Sequence, residues 1–466
     1  MQRSTKFGAT RRALAVSLSS VAVAATAGAQ SAPASGPKGL DLPPIRQLGT
    51  VTAATTEKLG NVPSIRPLSD GRVLVNDVSG RRVLLFDAKL QDFTVVADST
   101  SATSNAYSGR FAGLIGYRGD STLFVDPQSL SMLVLDPAGK VARVMSVPSA
   151  QDAMALSGAL GSASVDPDGR LVYRASPRFE FRTMGPGAAG GPMRPPEMPD
   201  SALIMRVDLA TRKLDTLGYI RTPKVKMNMS QDENGRITMM SEINPLPVVD
   251  EWAVLSDGSV ALVRGRDYHI DWIAPNGAKS STPKIPFEWQ RLSDEDKVAF
   301  IDSVKAARDR MGANVPVAMG PGGGQQVIAG GPPPGGGAGE ARVMVFGGPP
   351  GEGPARRPAG GAAPAGGEMR MPQMKFVDPS ELPDYKPVFL SGFVRADRDD
   401  NVWVRTIPTK AIAGGPVYDV INRKGELVQR VQIPANRSII GFGPGGAVYL
   451  TSRDGTVTKL EKATLQ

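Results

Sequence analysis

One pattern recurs six times along the chain, and that repetition limits the fold more than any single residue does. Each copy has a short apolar run, an Asp-Gly-type turn, a β-rich run, a variable loop, another β-rich run, a second tight turn and a fourth run. The first copy reads VPSIRPLSDGRVLVND and RRVLLFDAKLQDFTVVA, and the second AGLIGYRGDSTLFVDP and SMLVLDPAGKVARVMSVP. The third reads GSASVDPDGRLVYRA and, after an insertion, ALIMRVDLATRKLDTLGYI. The fourth is EWAVLSDGSVALVRGR and YHIDWIAPNGAKSSTPKIPF, and the fifth SGFVRADRDDNVWVRT and PVYDVINRKGELVQRVQIP. The sixth, IIGFGPGGAVYLTS and GTVTKLEKATLQ, stops after its third β-rich run. Turn chemistry between β-rich runs makes each copy one four-stranded antiparallel sheet.

Upstream of the first copy, Ile45 to Ala54 (IRQLGTVTAA) is strand-like and has no partner in its own copy. If it completes the last sheet, the row of sheets closes into a ring and loses its exposed edges. Setting aside the two large insertions leaves roughly three hundred residues, about fifty per copy, the size of a propeller blade. The expected fold is all-β: over residues 45–466, a six-bladed β-propeller of four-stranded antiparallel blades, closed by the N-terminal strand. Two stacked β-sandwiches are the other arrangement that would house such strands.

The chain resembles six-bladed β-propellers of the secreted bacterial NHL/TolB-like type. The first hairpins carry the resemblance through Asp70-Gly71, Asp168-Gly169, Asp257-Gly258 and Asp400-Asn401. The second hairpins carry it through DPAG (Asp136 to Gly139), Pro275 to Gly277 and Arg423 to Gly425. The resemblance implies an architecture and says little of activity, because propellers host many unrelated functions.

The first twenty-nine residues read as a signal peptide. Arg3, Lys6, Arg11 and Arg12 precede a short Ala/Ser/Val-rich apolar stretch, and Ala27 to Ala29 supply small residues for cleavage. The pattern predicts export to the periplasm or beyond by the general secretory route, with Arg11-Arg12 leaving the twin-arginine route open. Residues 30–44 are expected to be a disordered linker. There are no cysteines, so disulfides, thiol catalysis and thiolate metal sites are excluded, and the lack of a cysteine behind the apolar stretch argues against a lipoprotein. The net charge of +9 falls to about +5 without the signal, with no basic-aromatic run to suggest nucleic acid. No segment is long and apolar enough for an integral membrane span. A monomer is expected.

The connections are used unequally. In an antiparallel blade, first-to-second and third-to-fourth turns share one face, whereas second-to-third loops and blade-to-blade links share the other. Every turn of the first set is short. The long segments all fall in the second set: residues 175–201, 222–249, 288–390 and 407–415. Loops of this length in a compact domain are commonly functional or disordered. Within 288–390 a helix is expected over 293–311, capped by Ser293 with Asp296 and burying Phe300, Val304, Ala307 and Met311. The Gly/Pro-rich stretch 312–372 is expected to be disordered, and Phe376 to Leu390 to dock again.

Chemical motifs are few. GPGAAG from Gly185 and GFGPGG from Gly441 match a dinucleotide fingerprint by letters, but neither precedes a helix that could hold a pyrophosphate. P-loop, G-x-S-x-G and H-E-x-x-H patterns are absent. No cofactor is predicted. His269 is the sole histidine, so a Ser-His-Asp triad would have to use it and a multi-histidine metal site is excluded. Carboxylate-held Ca2+ stays open, with Asp77, Asp126, Glu251 and Asp267 near the channel-side ends of strands. The candidate ligand-binding residues are Arg174, Arg264, Arg266, Asp267, Tyr268, His269 and Arg405. Arg174, Arg264 and Arg405 end second strands of neighbouring copies, and such a cluster would suit an anionic or carboxylate-bearing ligand. The expected function is therefore an exported binding module that takes a small anionic ligand or a protein at the loop-rich mouth. The alternative is a propeller hydrolase or lactonase with a carboxylate-held divalent metal.

Overall fold

The hairpins form because their residues tolerate a left-handed backbone. At the first of them Gly71 has φ +90°, and the Asp70 carboxylate accepts the Arg72 N–H at 3.0 Å. Gly277 repeats the geometry at φ +86°, with Asn276 Oδ1 accepting from Ala278 N at 3.0 Å. In the fifth copy Asp400 occupies the left-handed position at φ +61°, and Asp397 accepts the Asn401 N–H at 2.8 Å. Adjacent hairpins also interlock. Asp400 receives the Ser256 N–H at 2.7 Å and its hydroxyl at 3.0 Å, and Asp120 receives the Ser69 N–H at 3.0 Å.

The computed structural model describes residues 40–99, 107, 112–159, 161, 163–177, 199–231, 237–310, 327–329, 343–345, 373–409 and 412–465. Among these the chain is nearly all β. The first sheet holds Ser64–Pro67, Val73–Asp77, Arg82–Phe86 and Phe93–Asp98, in that order and antiparallel. The second holds Gly113–Gly116, Thr122–Asp126, Ser131–Leu135 and Val141–Ser146. The third holds Ser164–Val165, Arg170–Arg174, Ser201–Asp208 and Leu214–Arg221. The fourth is Glu251–Val254, Val260–Arg264, His269–Ile273 and Lys279–Ser281. The fifth contains Val394–Ala396, Val402–Arg405, Val417–Ile421 and Leu427–Gln432, and the sixth Arg437–Phe442, Ala447–Asp454 and Val457–Thr464.

Both faces of these sheets are covered, which explains why their inner strands read as continuous apolar runs. Leu171 and Tyr173 belong to a cluster with the second sheet, whereas Val172 between them packs with the fourth. Further clusters join the first and second sheets (Leu74, Phe124), fourth and fifth (Ala261, Val402), and fifth and sixth (Val420, Val448). Another joins the sixth sheet to the first through Tyr449 and Val75. Each fully buried aliphatic side chain contributes about 1.5–3 kcal/mol. Outer strands are more exposed, as in Lys279–Ser281. Residues Asp41–Gln466 form one compact unit whose sheets are consistent with a β-propeller.

The strand expected over Ile45 to Ala54 is two strands. Ile45–Gln47 pairs in parallel with Leu427–Gln432, and Val51–Ala54 pairs antiparallel with Val457–Thr464, supplying a fourth strand to the sixth sheet. Leu48 is the cause: it is buried in the cluster between the fifth and sixth sheets, so the chain turns inward there.

The insertions build structure of their own. Within 222–249, Lys226–Gln231 and Ile237–Ile243 form an antiparallel hairpin, and Gln373–Phe376 joins it in parallel. The helix is Asp294–Arg310, with the expected reciprocal cap: Asp296 N donates to Ser293 Oγ at 3.2 Å, and Ser293 N to Asp296 Oδ2 at 3.0 Å. Of the expected stripe Val304 is fully buried, and Ile301 is buried beside it. Ile301 and Val304 pack with Leu246, Phe376 and Leu382, and Phe300 is only half-buried. Lys297 lies on that stripe too, its stem buried and its ammonium 2.8 Å from Asp384. Val388, Phe389 and Leu390 dock into the cluster between the fourth and fifth sheets. Residues 1–39, the fingerprint-like GPGAAG and Met311 lie outside the described residues. So does 312–372, apart from the paired strands Val327–Ala329 and Val343–Val345.

Candidate functional site

Second strands end, and first strands begin, on the side from which the long connections leave. Arg174 is the last residue of its strand and Glu251 the first of its own; they are 8% and 5% exposed. Glu251 Oε1 accepts the Gly392 N–H at 2.8 Å. Burial raises the Glu251 pKa, an effect opposed by that hydrogen bond and by the positive charges of Arg174 and Arg395. The Arg174 guanidinium is in turn weakened by burial, with Glu251 as its offsetting charge, and its Nε has no hydrogen-bond partner.

Arg395 belongs to the innermost strand of the fifth sheet and Arg405 ends the strand beside it. Burial lowers both pKa values, and both guanidiniums have Tyr418 as a neighbour. Arg395 Nε donates to Ile439 O at 3.2 Å. The Arg405 guanidinium lies 4.5 Å from the centre of the Phe393 ring, a cation–π contact. Arginines stay charged even so. The arrangement thus sets Arg174 and Arg395 against one carboxylate in a largely dehydrated setting, with Arg405 sharing the Tyr418 neighbourhood of Arg395.

The sequence-selected residues divide. Arg174 faces Glu251, and Arg405 neighbours Arg395 through Tyr418. Arg264 does not: it is tied to Asp271 at 2.7 Å, to Asp250 at 2.8 Å and to Tyr219 O at 2.8 Å. Those residues line a cavity of about 540 Å3 between the third and fourth sheets. Arg266 is exposed. Asp267 pairs with His269 Nδ1 at 2.8 Å, and His269 Nε2 lies 3.3 Å from Asp271, so the sole histidine is held between carboxylates. Tyr268 is fully buried and donates its hydroxyl to Asp419 at 3.0 Å, which makes it part of the core.

One residue of the group, Arg395, was missed, and Glu251 was considered only as a calcium ligand. Arg395 interrupts the innermost apolar strand Val394–Ala396, and a charged residue in such a run was the available signal. The acids considered for calcium do not gather. Asp77 holds Arg82 and the N–H groups of Gly60 and Gly80, while Asp126 holds Ser129 and the Gln128 N–H. Among the described residues no three His, Asp or Glu side chains converge as metal ligands. No described helix is long and apolar enough to cross a membrane. The GFGPGG stretch is the end of strand Arg437–Phe442 and its hairpin.

No known protein-family profile and no curated protein sequence matches the chain. Among solved structures it is similar to a gluconolactonase of Xanthomonas campestris, at 11% identity and TM-score 0.36, covering 91% of this chain and 97% of that one. It is also similar to a calcium-binding regucalcin of Agrobacterium tumefaciens (11% identity, TM-score 0.33, 91% of this chain and 96% of that one). A virginiamycin B lyase of Staphylococcus aureus gives 10% identity and TM-score 0.32, with 88% of each chain covered. Likenesses this distant do not bear on what this chain binds or does.

Proposed function

We propose that this chain is an exported six-bladed β-propeller that works as a monomeric binding module. It takes a small carboxylate-bearing ligand on the side carrying its long connections, between Arg174, Arg395 and Arg405. Six blades and a closed ring are supported by the cluster joining the sixth sheet to the first and by Val51–Ala54 completing the last sheet. Export rests on the basic, apolar and small-residue pattern of residues 1–29. The observation that carries the binding reading is Arg174: a guanidinium 8% exposed, with an unpartnered Nε, sharing one glutamate with Arg395. A ligand carboxylate would meet the unused donor and restore charge balance, the pairing for which a planar guanidinium fork is suited.

Calorimetric titration with succinate tests this. Succinate should bind the wild type, Arg405→Gln should weaken it at least tenfold, and Arg72→Gln, on a hairpin of the opposite side, should leave it unchanged. Equal affinity in wild type and Arg405→Gln would contradict the reading.

A further inference from the structure

A second cavity, of about 200 Å3, opens between the fifth sheet and the segment that follows the fourth, with Asp419 and Arg430 among its lining residues. That is several times the roughly 30 Å3 share of a water molecule in the liquid, so a small organic molecule fits. Asp419 comes from the buried strand Val417–Ile421 and is 2% exposed. Its Oδ2 accepts the Tyr268 hydroxyl at 3.0 Å. Its Oδ1 has no hydrogen-bond donor, and Arg430 Nε stands off at 3.5 Å.

Arg430 and Tyr268 offset the Asp419 charge only in part. Burial raises the Asp419 pKa to about 6, although Tyr268 and Arg430 both act to lower it. A second carboxylate, Glu288, is fixed among the lining residues by the Thr409 hydroxyl at 3.2 Å. Glu288 is exposed, so the buried charge opposite Arg430 is that of Asp419. Leu42, Ile45, Phe287 and Ile412 supply the apolar part of the wall. Buried carboxylates gain most from a donor that brings its own positive charge.

We infer that this cavity binds a small primary ammonium compound, its head on Asp419 Oδ1 and its short apolar body against Ile45, Phe287 and Ile412. The site is separate from the arginine cluster and has the opposite charge preference, so each stands or falls alone.

The test is calorimetric titration of the full chain with n-hexylammonium, 1-hexanol and hexanoate at pH 8. Hexylammonium should bind at least tenfold more tightly than either of the others. Asp419→Asn, which keeps an acceptor for Tyr268, should weaken it at least tenfold. Ile412→Trp, which fills the cavity from a half-buried loop position, should abolish binding with an unchanged circular dichroism spectrum, and decides the matter if Asp419→Asn fails to fold. Absence of hexylammonium binding, equal binding of 1-hexanol, or full affinity in either folded variant overturns the inference.

Discussion

Burial of Asp419 raises its pKa from 3.8 to about 6, so the folded protein holds this proton more tightly than the unfolded chain does. The sign follows directly. Between pH 4 and 6 the folded state binds more protons, so this group's contribution to stability falls as pH rises through that window. Below it nothing is lost, and above it the full cost applies, at most about 3 kcal/mol. Asp419→Asn removes the titration. In urea unfolding from pH 4 to pH 7.5 the variant should gain on the wild type through this window, whereas parallel profiles would contradict the account. Both Asp419 and Arg395 were legible as oddities, single charged residues in VYDVI and GFVRA. Their partners were not legible, because Tyr268 lies 151 residues from Asp419 and nothing local links them.

Turns were the most legible elements. Asp-Gly and Asn-Gly chemistry is decided within a few residues, by φ at the glycine and a side-chain acceptor two positions away from its donor. Pairings between distant segments were less so. Gln373–Phe376 finds Ile237–Ile243 across a separation that local pattern does not encode. The helix was legible in extent, cap and the burial of Val304, but the burial of Ile301 was not, because Leu246, Phe376 and Leu382, which set its orientation, come from other segments. The split of the N-terminal strand depends on Leu48, and it predicts an asymmetry. Leu48→Ala, at 8% exposure, should cost about 2–4 kcal/mol in urea unfolding. Val51→Ala, at 39% exposure, should change stability by about 0.5 kcal/mol or less. Equal effects would mean that the residues from Ile45 to Ala54 act as one surface strand.

For the molecule as a whole, repetition made the sheets and their order readable, and the length asymmetry of the connections pointed to one side. The site itself was half readable. Arg174 and Arg405 could be chosen because strand ends are predictable, but Arg264 was indistinguishable from them in sequence and is neutralised by Asp250 and Asp271. The central claim is that three arginines on the side of the long connections hold a carboxylate. A crystal structure of the protein grown with succinate tests it most directly. The account predicts succinate with a carboxylate within hydrogen-bond distance of Arg174 Nε and facing Arg395 and Arg405. Crystals in which that position holds no succinate, or in which it occupies only another surface, would contradict it.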